Sequence, residues 1–126
     1  MWARELAKAA VLVIPPVVMF RDLVGQIQVI AGDSMTPTLK PGDCVFVNKL
    51  PRETVQGDIV MIVSPEKRLV KRVTDVRKTE EISMFWVEGD NKENSVDSRN
   101  FGEVNSHLIQ GKAVAIVFPP WRARLL

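Results

Sequence analysis

From residue 25 onward, apolar and polar positions follow the two-residue period of β-strands. Residues 26–30 alternate, and short runs rich in Val and Ile follow at 44–47, 58–63, 69–76, 82–87 and 113–118. Turn-forming residues separate these runs, as in Pro41-Gly42-Asp43 and Gly89-Asp90-Asn91. The pattern predicts a mostly-β domain over residues 25–126, built as a coiled sheet or a barrel.

Residues 1–24 follow a different pattern, which predicts a membrane-anchor helix. Residues 9–20 carry no charge, but at about 1.5 Å per residue this run alone is too short for a hydrocarbon core of ~30 Å. Residues 2–6, with Lys8 extending toward a headgroup, bring the helix near the required length. Pro15 and Pro16 are expected to kink or end it. The alternatives are a membrane-surface or buried helix and, less favoured because no small-x-small site follows, a cleaved signal peptide.

Composition narrows the classes of function. A chain of 126 residues with 46% hydrophobic and 25% charged residues is expected to form about one globular domain. The formal net charge is only +2 and basic residues are interspersed with acidic ones, which disfavours a nucleic-acid partner. The single cysteine, Cys44, excludes an internal disulfide and a multi-cysteine metal site. Its apolar neighbours favour a packing role.

The candidate chemistry centres on Ser34, within the segment GDSMTPTL of residues 32–39. A serine alcohol is a poor nucleophile unless a base takes its proton. The only histidine, His107, lies in a polar stretch without other catalytic signals, whereas lysines are plentiful. A Ser-His-Asp triad therefore depends on that one histidine, and a Ser-Lys pair is the other known solution.

Lys71 is the candidate base, in the predicted strand 69–76. Alternation places it on one face with Leu69, Val73 and, further along, Asp75, so its amine points toward the apolar side. Desolvation lowers the pKa of a buried lysine from its usual value of about 10.4, as a base working near neutral pH requires. Arg72 cannot serve, because a guanidinium stays protonated. A lysine that only protects a sheet edge is the alternative interpretation.

Three blocks, in this order, resemble the type I signal peptidases, a family of serine–lysine endopeptidases. They are residues 32–43 with the serine segment, residues 69–73 (LVKRV) and residues 89–104 (GDNKENSVDSRNFGEV). The similarity extends over residues 10–120. It implies Ser34 as nucleophile, Lys71 as general base and Ser95 as the residue that orients the lysine amine.

The resemblance also implies how the transition state is held. The oxyanion hole is expected from the Ser34 backbone N–H and a neighbouring donor, in the segment that contains Gly32 and Asp33. Many bacterial members carry a serine at the position of Gly32 and use its hydroxyl here, so in this chain the role passes to backbone or to another group. The glycine itself indicates either close approach of a bound peptide or an unusual φ. Asp97 and Arg99 are expected to form a supporting ion pair.

A substrate peptide is expected to bind in an extended conformation, as a strand added beside the catalytic region. Ile30, Met35 and Val70 are the expected lining residues. The substrates implied are precursor proteins with cleavable presequences, and the resemblance implies neither a metal nor an organic cofactor.

Within the family, residues 14–22 (IPPVVMFRD) and the ending FPPW of residues 118–121 resemble the mitochondrial inner membrane peptidases, and more their second catalytic subunit. Residues 97–99 (DSR) are also compatible with the first subunit. The resemblance implies a membrane-bound enzyme with a second peptidase subunit as partner and a catalytic domain that faces the intermembrane space. A small bacterial maturation protease of the plasma membrane shares the three blocks and stays open. A non-catalytic subunit is disfavoured by the intact Ser34 and Lys71. A self-cleaving repressor is disfavoured because residues 1–25 cannot supply a DNA-binding region.

Overall fold

The computed structural model describes residues 2–126 as one long helix followed by a single antiparallel sheet. Helix α1 spans Trp2–Leu23. The strands are β1 Gly25–Val29, β2 Cys44–Asn48, β3 Ile59–Val63, β4 Arg68–Lys78, β5 Ser83–Glu88, β6 Val104–Asn105, β7 Ile109–Phe118 and β8 Arg124–Leu125. A short helix α2, Ser98–Phe101, and the 3₁₀ turns Ser106–Leu108 and Pro120–Arg122 lie in the connections. The prediction of a mostly-β domain is confirmed.

The strand order is β1-β2-β7-β3-β4-β5-β6, with β8 paired to β7. All six predicted strands are present. The two that sequence reasoning missed, β6 and β8, have two residues each, too few to show a period. Within residues 2–126, β1 and β6 do not pair with each other, so the described sheet is an open path.

Two apolar clusters pack against the sheet, and β3 contributes to both. Ile59 and Met61 belong to the first cluster, and Val60 and Ile62 belong to the second. A strand buried on both faces needs an uninterrupted apolar sequence, which explains the run IVMIV. The first cluster also contains Met35, and this residue ties the loop after β1 to the core.

Strand β4 alternates as expected only over its first half. Val70 packs against the first cluster, and Leu69 packs against the second, to which Val73 also belongs. A register shift between Val73 and Asp75 then interrupts the pairing with β5. After this irregularity Asp75 is exposed and Val76 packs against the second cluster, so the expectation that Asp75 shares the face of Lys71 is wrong.

Helix α1 continues through Pro15 and Pro16, so of the two expected effects, a kink or an end, the end is excluded and the kink stays a prediction. None of the helices in the described part of the chain is both long and apolar enough to cross a membrane. The expectation of a spanning anchor is therefore corrected. The helix has 22 residues, but Arg4, Glu5 and Lys8 lower the hydropathy of its amino-terminal part. The domain division at residues 24 and 25 stays a prediction.

Candidate active site

Strand β4 buries the Lys71 side chain on the same face as Leu69 and Val73, leaving only 3% of the residue exposed. Its Nζ donates a hydrogen bond to Ser95 Oγ at 3.2 Å. Desolvation lowers the pKa of Lys71 below its ordinary value, and the Asp97 carboxylate opposes this shift. The burial expected from the strand pattern is confirmed, and it favours a neutral amine.

A buried carboxylate fixes the direction of this hydrogen bond. The Ser95 hydroxyl donates to Asp97 Oδ2 at 2.8 Å, so its oxygen accepts from Lys71. Burial opposes ionisation of Asp97, but hydrogen bonds from Arg99, the Gly89 N–H and Ser95 outweigh it and hold the pKa of the carboxyl well below its usual range. Arg99 binds both carboxylate oxygens, at 3.0 and 2.9 Å. Asp97 therefore stays ionised above its lowered pKa and acts only as a hydrogen-bond acceptor.

The backbone around Asp97 explains why it is placed so firmly. Asp97 is the N-cap of α2: it accepts from the Arg99 N–H at 3.1 Å, and the Asn100 side chain accepts from the Asp97 N–H at 3.2 Å. Ser98 Oγ accepts from the Val87 N–H at 2.9 Å and so attaches the helix to β5. The sequence string of the third block is thus a capped turn built onto a core strand.

The loop that carries Ser34 is held by its own apolar residues. Met35 and Leu39 are buried, and the Leu39 N–H donates to the Met35 carbonyl at 2.9 Å. The Ser34 carbonyl accepts from the Asn91 N–H at 2.9 Å. A Cβ added at Gly89 would lie 2.5 Å from that carbonyl oxygen and 2.7 Å from Ser95 Cβ. The serine loop, Gly89 and Ser95 are therefore in direct contact.

Ser34 and Lys71 line one open groove of about 210 Å³ between the end of β1 and the start of β4. The predicted lining residues Ile30, Met35 and Val70 are in it too, together with Gly32. Among residues 2–126, no hydrogen bond joins Ser34 Oγ to Lys71 Nζ; the amine bonds to Ser95 instead. The groove thus combines a serine hydroxyl, a desolvated amine, apolar side chains and two polar ones, Gln28 and Arg68.

Asp33, like Ser95, Asp97 and Arg99, is a predicted site residue that does not line the groove. Its carbonyl accepts from Asn91 Nδ2 at 3.1 Å, and its carboxylate accepts from Asn94 Nδ2 at 2.6 Å. These bonds face the loop of residues 91–94. Asp33 therefore ties two loops together, while its expected part in the oxyanion hole stays a prediction.

An ion pair that sequence reasoning missed joins the lysine strand to the serine loop. Arg72 Nε and Nη2 each donate to the Asp90 carboxylate at 2.9 Å, and Thr38 Oγ1 donates to the same group at 2.5 Å. The sequence indicated Asp90 only as a turn residue and excluded Arg72 as a base. The available signal was the strand alternation, which puts Arg72 on the face opposite Lys71.

Comparison with known proteins shows the family of this chain. The family of signal peptidases, peptidase S26, matches over residues 3–77 and 78–118. The chain belongs to this family.

Three relatives of this S26 peptidase chain illustrate its similarities. Mitochondrial inner membrane protease subunit 2 of Mus musculus is 36% identical, over 96% of this chain and 85% of the relative. The subunit 2 of Schizosaccharomyces pombe is 37% identical, over 86% and 73%. Mitochondrial inner membrane protease subunit 1 of Xenopus tropicalis is 31% identical, over 78% and 72%.

Two side chains that a different peptidase mechanism needs lie outside the groove of this S26 family member. Cys44 lies on β2, opposite Phe118 of β7. His107 lies exposed in the 3₁₀ turn Ser106–Leu108, where its backbone N–H donates to Asn105 Oδ1. Neither residue lines the cavity that holds Ser34.

The carboxyl-terminal segment of this S26 family member is hydrogen-bonded to the serine loop and to the turn that follows it. Sequence reasoning missed these contacts. Arg122 Nε and Nη2 bind the buried Asp43 carboxylate, each at 2.8 Å. Arg124 donates to the Thr38 carbonyl at 2.8 Å. These partners are 79 and 86 positions apart, so no local pattern indicates them.

Proposed function

We propose that the chain is a serine endopeptidase in which Ser34 is the nucleophile and Lys71 is the general base. The observation that carries this proposal is the buried, hydrogen-bonded Lys71 amine in the same groove as the Ser34 hydroxyl. A charged ammonium could not accept a proton, whereas a desolvated amine is neutral over part of the working pH range. Family membership adds independent support for a peptidase.

The hydrogen-bond directions suit proton transfer. Asp97 accepts from Ser95, so Ser95 accepts one N–H of Lys71. A neutral amine then keeps its lone pair free for the Ser34 proton. The Ser34–Lys71 bond is expected to form when substrate closes the groove, since catalytic hydrogen bonds are often long in free enzymes.

The reaction proposed has two halves. Ser34 Oγ attacks the carbonyl carbon of the scissile bond as its proton passes to Lys71, and the leaving amine takes that proton when the bond breaks. Water then gives a proton to Lys71 and attacks the acyl carbon of the acyl-serine. The bond from that carbon to Ser34 Oγ breaks, the new carboxyl end of the substrate leaves, and Lys71 returns the proton to Ser34 Oγ. The Ser34 N–H has no hydrogen-bond partner among residues 2–126 and is available to the oxyanion.

The sheet offers free edges for an extended substrate. β1 is the first strand of the order and pairs only with β2, and residues 68–71 of β4 pair only with β3 in the described part of the chain. The groove lies between these two edges. We therefore propose that a precursor peptide binds as an added strand, with Ile30, Met35 and Val70 beneath its side chains.

We further propose that the enzyme removes presequences at the mitochondrial inner membrane, with its catalytic domain in the intermembrane space and a second peptidase subunit as partner. The support is similarity, because the relatives are named subunits of a mitochondrial inner membrane protease. The exposed apolar side chains of α1, among them Leu12 and Phe20, favour contact with a membrane surface.

Cleavage of a precursor tests the proposal. The full-length chain, in detergent-solubilised membranes, is incubated with a precursor that carries a cleavable presequence, and the product is followed by its size. Ser34→Ala and Lys71→Arg should each reduce cleavage to background, while Cys44→Ala and His107→Ala retain it. Near-normal cleavage by Ser34→Ala would remove the nucleophile from the proposal. Loss of cleavage in His107→Ala would point to a different base.

A further inference from the structure

A second cavity lies away from the groove, beside the end of α1. Its volume is about 430 Å³, within the range of ~300–1,000 Å³ that is typical of ligand pockets. The loop of residues 48–54, which follows β2, forms one wall, and residues of β4, β5 and β7 form most of the rest. The cavity shares no lining residue with the groove of Ser34 and Lys71. The proposed peptidase reaction therefore leaves this cavity without a role.

The charges that line the cavity are not balanced. Four of the lining side chains are basic and two are acidic. Both acidic side chains are already paired, Asp58 with Lys112 at 2.9 Å and Glu53 with Lys78. Two basic side chains remain, so the lining carries a net positive charge and attracts an anionic ligand.

The two remaining basic residues are Lys49 and Arg52, in the segment KLPR of residues 49–52. Among the side chains that the structure describes, no carboxylate lies within ion-pair distance of either. Arg52 is exposed, and a guanidinium presents paired N–H groups that match two oxygens of a phosphate. Thr54 and Gln110 line the same cavity and can donate further hydrogen bonds. This set of donors suits a phosphate group.

The loop also lies where a membrane is expected. The Lys49 N–H donates to the Val24 carbonyl at 2.7 Å, one residue after α1 ends at Leu23. The exposed apolar side chains of α1 are those proposed to contact a membrane surface. Between the two basic residues of the loop, Leu50 is 49% exposed and Pro51 is exposed as well. Two exposed apolar residues flanked by cations suit the boundary at which lipid phosphates meet acyl chains.

We propose that this cavity binds the phosphate of an anionic lipid headgroup, with Lys49 and Arg52 as its charged contacts. A soluble phosphate compound has the same chemistry, but the position of the loop beside α1 favours the lipid. The inference rests on the proposed contact of α1 with a membrane and is independent of the peptidase reaction. Headgroup binding gives the β domain a second attachment to the membrane.

Binding of the full-length chain to lipid vesicles tests this inference. The protein is titrated with vesicles of phosphatidylcholine alone or of phosphatidylcholine mixed with phosphatidylglycerol, and the bound fraction is measured by flotation. Wild type should bind the anionic vesicles more tightly. A basic residue near an anionic surface contributes about a fivefold gain in affinity, so Lys49→Gln combined with Arg52→Gln should lose roughly 25-fold. Binding to neutral vesicles should not change, because α1 is intact.

A matched control removes two positive charges elsewhere. Lys40 and Lys92 are exposed and do not line the cavity, so Lys40→Gln combined with Lys92→Gln should lose at most about twofold on anionic vesicles. Equal losses in the two double variants would show a general attraction by net charge and would overturn the cavity as the binding site.

Soluble phosphates distinguish the source of the ligand. Thermal unfolding is measured with inorganic phosphate and with glycerol 3-phosphate. A melting temperature that rises in wild type but not in Arg52→Gln, without any preference for anionic vesicles, would identify a soluble ligand and overturn the lipid assignment. No response to phosphate and equal binding to both kinds of vesicle would overturn the inference altogether.

The outcomes also separate this inference from the proposed function. A wild-type chain that binds neither kind of vesicle would overturn both the membrane contact of α1 and headgroup binding. A chain that cleaves no precursor would overturn the peptidase proposal. If that chain still prefers anionic vesicles, and loses the preference with Lys49→Gln and Arg52→Gln, headgroup binding is supported.

Discussion

Replacing Lys71 with Met is expected to abolish cleavage and stabilise the fold. The lysine is 3% exposed, and among residues 2–126 its Nζ has a single hydrogen-bond partner, Ser95. In the wild type, the other N–H groups of the Lys71 amine are buried without a partner, and each such donor costs about 1–3 kcal/mol. The hydrogen bond to Ser95 that Lys71→Met loses is worth about 0.5–1.5 kcal/mol. The net gain is about 1 kcal/mol, because Met keeps an unbranched apolar stem and Ser95 still donates to Asp97. In a domain of this size that raises the melting temperature by roughly 4 °C.

The pH dependence of this gain has a defined sign. The folded pKa of Lys71 is lowered by desolvation, whereas the unfolded chain keeps a value of about 10.4. Between the two values the unfolded chain binds more protons, so the stability of the wild type rises with pH in that window. Lys71→Met lacks this rise. The difference between the two proteins should therefore be largest below the folded pKa of Lys71 and shrink toward pH 10.

Urea unfolding followed by circular dichroism, repeated between pH 6 and pH 10, measures the difference. Lys112→Met is the matched control. Lys112 pairs with the buried Asp58 carboxylate at 2.9 Å, so its loss should destabilise the fold at neutral pH. A Lys71→Met chain that is less stable than wild type at pH 7 would refute the reasoning. It would show that Lys71 is a satisfied structural cation.

Three further predictions concern the residues around the groove. Ser95→Ala should lower kcat by one to two orders of magnitude, about 1.4–2.8 kcal/mol, and shift the pH–rate profile, since the Lys71 amine loses its acceptor; an unchanged profile would contradict its orienting role. Arg122→Ala should lower the melting temperature near pH 7. This loss should shrink below about pH 4, because hydrogen bonds from Arg122 lower the pKa of Asp43 and their stabilisation disappears as that carboxyl protonates; thermal unfolding at several pH values checks it. Gly89→Ala should abolish cleavage and lower the melting temperature, since its Cβ would lie 2.5 Å from the Ser34 carbonyl oxygen; a precursor assay beside a thermal scan checks both.

Local patterns in the sequence were sufficient for the strands and for Lys71. The alternation of side chains is a property of the extended backbone, so the apolar runs predicted six strands and the burial of Lys71 before any contact was known. The prediction from alternation failed at the register shift after Val73, because there the pairing of β4 with β5 decides which face a side chain lies on. The hydropathy of α1 was overestimated, because the uncharged residues 9–20 were counted together with a charged amino-terminal part.

Contacts between distant segments were decided only by the tertiary structure. The bond from Thr38 to Asp90 and the pair of Arg122 with Asp43 join residues 52 and 79 positions apart, and each requires the sheet order to bring its partners together. The same holds for the space above Gly32. The sequence showed a glycine beside a serine and left two explanations open. Only the folded chain shows that its backbone is ordinary and that nothing else in the described protein fills the volume of its missing side chain.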